Sequence, residues 1–571
     1  MKKAILPIGA ALAVLVIAIT LYFIFLRDRS EQVDNPGFVP TQAPLPEVSP
    51  TMPPVPEDTV HEDILFPVCV KEEGLSRFGY IDHSGRLAID PAYDSAGNFT
   101  EGTAIVTVDG IDKVIDSKGS VIYENNGLIR SFRNGLAAFQ ERSEDSALYG
   151  YINSKGQEVI PPSYLFADDF NEDGQAYVAL PDGSSFQLID RTGNVLESYQ
   201  VTVGNGYVRD FRDGYLIYYN SDAMRCGVKK LDGTSVFDAI YSSITYLGSN
   251  LFALTDPSLE SYETTFYPAA IFNAQGEQLT EFSLYDLQPF YGDYASAADE
   301  TSVFFIDKTG QEVASLPSYD GGGTLTLLGD IVKAEIDGDI TYYRLDNTVL
   351  WKADSTIRLS SGISVKELKF KPLRSVLVRY PQIEGLADPG VQHQINEQLE
   401  SIFTEARANI TVEEHLSVDD SFQASLINQL LVIEMNGYDY YSGAAHGMPL
   451  QEYYFIDITT GTFYDLKDLF LKGSDYKSKI DEIIHARLED TSEDSMYFSD
   501  SFTGIADAQN FYLTEANLVI YFYPYEIAAY AAGFPEFEIP LKELEDYLNT
   551  DGAFWKAFHQ QIMSCIQNHP L

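Results

Sequence analysis

Cysteine and basic residues are scarce in this chain of 571 residues. Its three cysteines, at positions 69, 226 and 565, are too few for a disulfide framework and form no Cys-x-x-Cys metal or redox motif. Lysine and arginine together number 37 against 85 acidic residues, which gives a net charge of −48. Because phosphate recognition needs positive patches, this balance argues against a broad nucleic-acid-binding surface. Aromatic residues are plentiful at 13%, which favours β-rich structure.

The N-terminus predicts a membrane anchor over residues 4–26. This stretch carries no charge, and as a helix it would span ~35 Å, enough for a hydrocarbon core of ~30 Å. The small-x-small pattern Ala11-Leu12-Ala13 lies mid-stretch, so an uncleaved signal anchor is favoured over a cleaved signal peptide. We expect residues 1–3 to be cytoplasmic and most of the chain to lie outside a bacterial-type cell membrane, crossed once. Residues 27–61 are rich in proline and predict an extended stalk.

Residues 62–354 contain a repeat of 34 to 43 residues. Seven turns recur, most of them opened by Asp or Asn, and their glycines stand at positions 85, 119, 156, 193, 233, 276 and 310. This is hairpin chemistry, because glycine tolerates positive φ and Asp or Asn caps the turn. Short apolar runs around each turn predict three or four strands per unit. The expected fold is an all-β array: a seven-bladed, propeller-like ring that a stray strand at 66–70 could close, or an open β-solenoid.

Two of these units carry a family resemblance. Phe78–Asp82 with Ile89–Asp94, and Tyr149–Gly156, resemble the bacterial WG (KWG) repeat family, and the resemblance extends over about 66–352. The chain departs from the family where Trp-Gly is expected, since Phe78, Tyr149 and Cys226 stand in those places. The resemblance implies a β repeat platform and no catalytic residue.

Residues 355–571 predict a separate α+β domain. Ile395, Leu399 and Phe403 recur at helical spacing after Pro389, and Asp388 is placed to cap that helix. Similar apolar spacing predicts further helices around 480–488 and 555–562. Strands are expected at 430–435 and 453–458, and a hairpin at 511–523.

Motifs in residues 362–560 resemble the extracytoplasmic region of RsiV-type anti-sigma factors. They include Tyr380–Leu386, Gly443–Gly447 and Phe522–Ile527, with Ala444 and Gly447 as departures from the family's loop. The resemblance implies a non-enzymatic domain, which in some members binds lysozyme. Direct sigma-factor binding is not expected, because only three residues precede the predicted membrane span.

The candidate ligand-binding residues are His446, Tyr525 and Glu526. A histidine in a glycine-rich loop can be a metal ligand or a general base, but no second histidine lies nearby. A structural role for His446 is therefore favoured, followed by ligand contact. Tyr525 and Glu526 are interpreted as an internal hydrogen-bonded pair or as part of a contact surface. No catalytic residue, cofactor or metal site is predicted.

The sequence predicts a non-catalytic, membrane-anchored envelope protein that binds an extracellular protein or a peptidoglycan-associated ligand. Its acidic charge favours a cationic partner such as a lysozyme. One alternative is a wall-active hydrolase using paired carboxylates, such as Asp168 with Asp169 or Asp419 with Asp420. The other is a scaffold whose WG repeats dock other envelope proteins.

Overall fold

The computed structural model describes residues 64–72, 75–142, 147–259, 267–359, 362–489, 496–498 and 501–559. The predicted tail, membrane anchor and stalk (1–3, 4–26 and 27–61) lie outside these residues. Within the described ranges, no helix combines the length and the apolar character needed to cross a bilayer.

A series of antiparallel sheets occupies residues 66–352, and the described residues form eight of them, each with three or four strands. In chain order the strands are β1 Phe66–Glu72, β2 Leu75–Ile81 and β3 Leu87–Tyr93; β4 Ser95–Ala96, β5 Thr103–Val108, β6 Ile111–Asp116 and β7 Val121–Asn125; β8 Leu136–Arg142, β9 Ala147–Asn153 and β10 Glu158–Tyr164; β11 Phe166–Ala167, β12 Gln175–Ala179, β13 Ser185–Asp190 and β14 Val195–Gln200; β15 Gly206–Arg212, β16 Tyr215–Asn220, β17 Arg225–Lys230 and β18 Ser235–Tyr241; β19 Ser243–Gly248, β20 Leu251–Thr255 and β21 Ala270–Asn273; β22 Ala295–Ala298, β23 Ser302–Ile306 and β24 Tyr319–Asp320; β25 Gly323–Leu328, β26 Ile331–Ile336, β27 Asp339–Arg344 and β28 Val349–Lys352.

One five-residue turn recurs in every sheet of the array. In the first sheet, the N–H of Asp82 donates to the Arg86 carbonyl at 2.8 Å, and that of Gly85 donates back to the Asp82 carbonyl at 2.9 Å. Gly85 has φ 80°, which glycine adopts without the penalty of a Cβ atom. The same bonds form an eighth turn at 344–348, where Asn347 takes the glycine position at φ 66°. The predicted count of seven units is wrong because this asparagine replaces the glycine that marks the others.

Each sheet of the array packs against the next, and the eighth packs against the first. Phe66 and Ile81 of the first sheet share a buried core with Ile331 and Tyr342 of the eighth. The Tyr342 hydroxyl donates to the Pro67 carbonyl at 2.7 Å. Strand β1 is paired with β2 throughout its length, so it is a regular strand of the first sheet, and its Phe66 and Pro67 also make the closing contacts. These contacts join the first and eighth sheets of the array.

The C-terminal part is built on a seven-stranded sheet in the described residues, with its strands in sequence order. They are β29 Ile357–Arg358, β30 Ser364–Leu373, β31 Val376–Glu384, β32 Leu416–Ile427, β33 Leu430–Tyr441, β34 Met448–Asp457 and β35 Phe463–Tyr464. Strands β31 and β32 are parallel, whereas the other neighbours are antiparallel. A smaller sheet follows, with β36 Phe511–Leu513, β37 Asn517–Tyr521 and β38 Glu536–Pro540.

Three helices of the described residues complete this α+β domain: α1 Pro389–Thr404, α2 Tyr476–Glu489 and α3 Ala553–His559. Helix α1 connects the two parallel strands and is capped by Asp388, whose carboxylate accepts from the Gly390 N–H at 2.7 Å. It buries Ile395, Leu399 and Phe403 against the large sheet. Helices α2 and α3 share a second core with the small sheet. The helix predicted after Pro389 and the α+β class are therefore confirmed.

The hairpin of β30 and β31 contacts the array through basic side chains. Lys369 Nζ lies 2.7 Å from an Asp339 carboxylate oxygen, and Lys371 pairs with Asp337. Arg374 pairs with Asp286 and also donates to a backbone carbonyl of the seventh sheet. The two domains thus meet through ion pairs.

Candidate functional site

The candidate site lies on the connection between strands β33 and β34. These strands pair over ten residues, and residues 442–447 join them. Two backbone hydrogen bonds hold this loop in place. The Ala444 N–H donates to the Tyr441 carbonyl at 3.0 Å, and the Ser442 N–H donates to the His415 carbonyl at 2.9 Å. His446 therefore projects from an ordered turn.

The structure brings His446 and Tyr525 together, although 79 positions separate them in the chain. His446 Nδ1 lies 2.9 Å from the Gly447 carbonyl oxygen, and Nε2 lies 3.0 Å from the Tyr525 hydroxyl. Because a carbonyl only accepts, Nδ1 carries the proton, and in the neutral ring Nε2 accepts from Tyr525. The imidazole also stacks on Tyr530, with ring centroids 3.8 Å apart. His446 is thus held on both nitrogens and on one face.

Gly447 anchors the other side of the loop. Its N–H donates to the Tyr438 hydroxyl at 2.9 Å, and its carbonyl accepts from the Tyr530 hydroxyl at 3.0 Å. A Cβ atom at this position would lie 2.5 Å from the Tyr438 ring and 2.7 Å from the Asp439 carbonyl. Only glycine fits here without a shift of its neighbours, and a proline would also lose the hydrogen bond to Tyr438.

Tyr525 and Glu526 take different roles and do not pair with each other. Tyr525 has φ 70°, a left-handed conformation that is uncommon for a non-glycine residue. Its N–H donates to the Ala528 carbonyl at 3.0 Å, which closes a tight turn. The Glu526 carboxylate accepts from the Tyr523 N–H at 3.0 Å and so stabilises the same turn. Glu526 therefore stabilises the turn that carries Tyr525 and does not itself contact the His446 loop.

We call Tyr438, His446, Tyr525 and Tyr530 the tyrosine surface. Tyr438 is 43% exposed and Tyr525 is 51% exposed, while His446 and Tyr530 are half-buried between them. Partial desolvation, together with the neighbouring Tyr438 hydroxyl, raises the pKa of Tyr530 above its ordinary value. Sequence reasoning missed Tyr438 and Tyr530 as site residues. The tyrosine-rich run before the loop, Tyr438 to Tyr441, was the signal that could have found the first of them.

The paired carboxylates considered for hydrolysis are each committed to an arginine or to the backbone. Asp168 is buried and accepts from the Asp213 N–H at 2.8 Å, and Asp169 lies 3.2 Å from Arg133. Asp419 pairs with Arg379 at 2.6 Å, and the neighbouring Asp420 is buried against another arginine. Among the residues that the structure covers, no group of three or more His, Cys, Asp or Glu side chains is placed to hold a metal ion.

Comparison with known proteins identifies both domains. Residues 467–542 match the family described as protein of unknown function (DUF3298), and residues 78–110 and 149–179 match the WG containing repeat. No match was found among curated proteins.

Solved structures that match part of the chain include two DUF3298 proteins. One, from Bacteroides fragilis, has 16% identity and a TM-score of 0.26, and covers 36% of this chain and 98% of its own. Another, from Pseudomonas aeruginosa, has 18% identity and a TM-score of 0.25, and covers 34% and 93%. Hsv2 of Kluyveromyces lactis has 12% identity and a TM-score of 0.25, and covers 47% and 90%. The two family matches, not these structures, confirm the resemblances seen in the sequence: the chain carries WG repeats and a DUF3298 domain.

Proposed function

We propose that this protein is a non-catalytic, membrane-anchored envelope protein whose DUF3298 domain binds a cationic extracellular protein of the lysozyme type through the tyrosine surface. The observation that carries the proposal is the exposed pairing of His446 with Tyr525. The uncharged stretch 4–26 supports the anchor, and the DUF3298 match supports an envelope-associated binding role.

The tyrosine surface has the chemistry of an interface. Exposed tyrosines offer large apolar faces and one hydroxyl each at little cost in side-chain entropy, and they are enriched at binding hot spots. His446, Tyr525 and Tyr530 are held by hydrogen bonds and stacking before any partner arrives. Preorganised side chains lose less entropy on binding, so this arrangement favours affinity.

The charge of the chain favours a basic partner. A net charge of −48 raises the encounter rate with cationic proteins at low salt and repels anionic wall polymers. The role of net charge can be tested separately from the contacts of the tyrosine surface, because it predicts that binding weakens as the ionic strength rises.

A scaffold role for the repeat array is a second candidate. The strand that follows the recurring turn exposes an aliphatic side chain in several sheets, including Leu87 (49% exposed), Val121 (52%) and Val349 (53%). We interpret the closed eight-sheet array as an eight-bladed β-propeller, and these side chains then repeat around its outer strands. Retention of envelope proteins on residues 62–354, lost when the three positions are changed to Ser, would favour this role.

The test of the main proposal is calorimetric titration of the full chain with hen lysozyme. We expect a dissociation constant of about 1 µM, weakened at least tenfold by Tyr525→Ala or His446→Ala and by raising the salt concentration to about 0.5 M. The matched control is Tyr207→Ala, because Tyr207 is 57% exposed in the fifth sheet of the array. Absence of binding at about 100 µM, or equal loss with the control, would refute the proposal.

A further inference from the structure

A cavity of about 810 Å³ lies where distant sheets of the array face one another. Its walls come from four sheets: Ile64 precedes the first, residues 98–102 belong to the second, residues 131–134 lead into the third, and Tyr291 leads into the seventh. In a closed series of eight, the third and seventh sheets are half a circuit apart. The cavity therefore lies across the centre of the array.

Three of the walls are equivalent positions of the repeat. Thr100 bridges to Thr103, Arg133 bridges to Leu136, and Tyr291 bridges to Tyr294, each in the tight turn before a strand. One structural position thus carries a hydroxyl, a guanidinium and an aromatic ring in different sheets. Because equivalent positions of the repeat place different chemical groups around this one cavity, the cavity can bind an asymmetric ligand.

The charged groups that line the cavity already have partners. The Glu101 carboxylate accepts from the Gly135 N–H at 2.9 Å, and Arg133 lies 3.2 Å from Asp169. Binding an anion would require breaking the Arg133–Asp169 pair, and a cation would find only the Glu101 carboxylate, which already accepts from a backbone N–H. The lining therefore favours a ligand without net charge.

The uncommitted groups of the cavity are hydroxyls, an amide and an aromatic ring. Tyr291 is 55% exposed, and the hydroxyls of Thr100 and Ser131 make no hydrogen bond to any residue that the structure describes. Across the same described residues, the Asn98 amide oxygen is buried without a partner. Rotation of this amide would turn the oxygen towards a ligand in the cavity and satisfy it there.

We propose that this cavity binds a short neutral saccharide. A sugar ring presents a C–H face that packs on an aromatic side chain, and its hydroxyls both donate and accept, as the Thr100, Ser131 and Asn98 groups require. The volume lies in the range of ligand sites, about 300–1,000 Å³. This site is in the array, so it is independent of the tyrosine surface of the DUF3298 domain.

The experiment titrates the full chain with the trisaccharides of N-acetylglucosamine and of glucose, and with inorganic phosphate and trilysine as charged probes. We expect at least one trisaccharide to bind with a dissociation constant of about 1 mM or tighter, and neither charged probe to compete. Tyr291→Ala should weaken binding about tenfold, and Asn98→Ala should weaken it as well. Tyr207→Ala and His446→Ala should leave it unchanged.

Two arms separate the sources of the sugar. Retention of the protein on insoluble chitin would indicate the ends of a polymer, whereas binding of the soluble trisaccharide alone would indicate a free oligosaccharide. The proposal is overturned if no trisaccharide binds at about 10 mM, if a charged probe binds in a Tyr291-dependent manner, or if folded Tyr291→Ala protein binds sugar as the parent does.

Discussion

At the scale of single residues, Asp168 shows how one buried carboxyl links two sheets. It follows β11 in the fourth sheet and accepts from the Asp213 N–H at 2.8 Å and from Arg212 at 3.3 Å, both at the end of β15 in the fifth. Burial raises the pKa of Asp168 to about 6, and the two donors oppose that rise. The folded protein therefore holds a proton on Asp168 more tightly than the unfolded chain does.

This difference predicts a pH dependence of stability. Between an unfolded pKa of about 4 and the folded pKa of about 6, the folded state binds more protons, so the Asp168 contribution to the free energy of unfolding falls as the pH rises. Asp168→Asn cannot titrate, and its stability relative to the parent should rise from pH 4 to pH 7 in denaturant unfolding. A constant difference over this range would contradict the prediction.

The control is Asp190→Asn, at the turn that follows β13. Hydrogen bonds from Asn194 and Thr192 lower the pKa of Asp190 to about 2. Its contribution is fully present above pH 4 and is lost as the pH falls through 2, so this variant should show a constant difference between pH 4 and 7.

At the scale of secondary-structure elements, Arg407 connects α1 to the large sheet. It lies in the turn after α1, 2.9 Å from Asp420 of β32 and 2.8 Å from Asp439 of β33. The Asp420 side chain is fully buried, and a Cβ atom at Gly437 on the neighbouring strand would lie 2.2 Å from its oxygen. The Asp420 carboxylate is thus enclosed between the Arg407 guanidinium and the Gly437 backbone.

Arg407→Met should therefore destabilise the DUF3298 domain by about 3–5 kcal/mol, because the fully buried Asp420 and the partly exposed Asp439 lose their counter-charge. Adding Asp420→Asn should recover part of the loss. Arg358→Met removes an exposed pair with Asp354 and should cost only about 0–1 kcal/mol in the same denaturant unfolding. Equal losses from Arg407→Met and Arg358→Met would show that the buried pair is not structural.

Elements with a strong local signal were predictable from the sequence. Helix α1 was predicted from Asp388, Pro389 and the spacing of its apolar residues, and seven turns were predicted from their glycines. The eighth turn was missed because Asn347 adopts the left-handed conformation without being glycine. Of the site, His446 and Tyr525 were found, but their contact was not, because it depends on how a distant turn folds over the loop.

At the scale of the whole molecule, three basic residues of one hairpin lie where the two domains meet. Lys369, Lys371 and Arg374, on the hairpin of β30 and β31, pair with acidic side chains of the array. The Arg374 side chain is 8% exposed and its guanidinium lies 4.6 Å from the centre of the Tyr285 ring. Cation–π contact and ion pairing therefore act together.

Lys371→Ala with Arg374→Ala should weaken this docking, since each buried charged contact contributes about 1–3 kcal/mol. We expect the array and the DUF3298 domain to unfold in separate calorimetric transitions, and protease to cut faster between β28 and β29. Lys308→Ala, which removes an exposed pair with Asp293, is the control. A single unchanged transition in the double variant would mean that the domains are coupled by other contacts.

The contact of Tyr342 with Pro67 also sets an order in time. Its partners are 275 residues apart. At about 5–20 residues per second, the ribosome takes roughly 15–55 s after adding Pro67 to add Tyr342, and only then can the first sheet pack against the eighth. Throughout that interval Phe66, Val68 and Ile81, fully buried in the finished array, stay uncovered. A nascent chain of this protein therefore carries an adhesive apolar face until its repeat array is nearly complete, and ribosome stalling before residue 342 would leave that face open to aggregation.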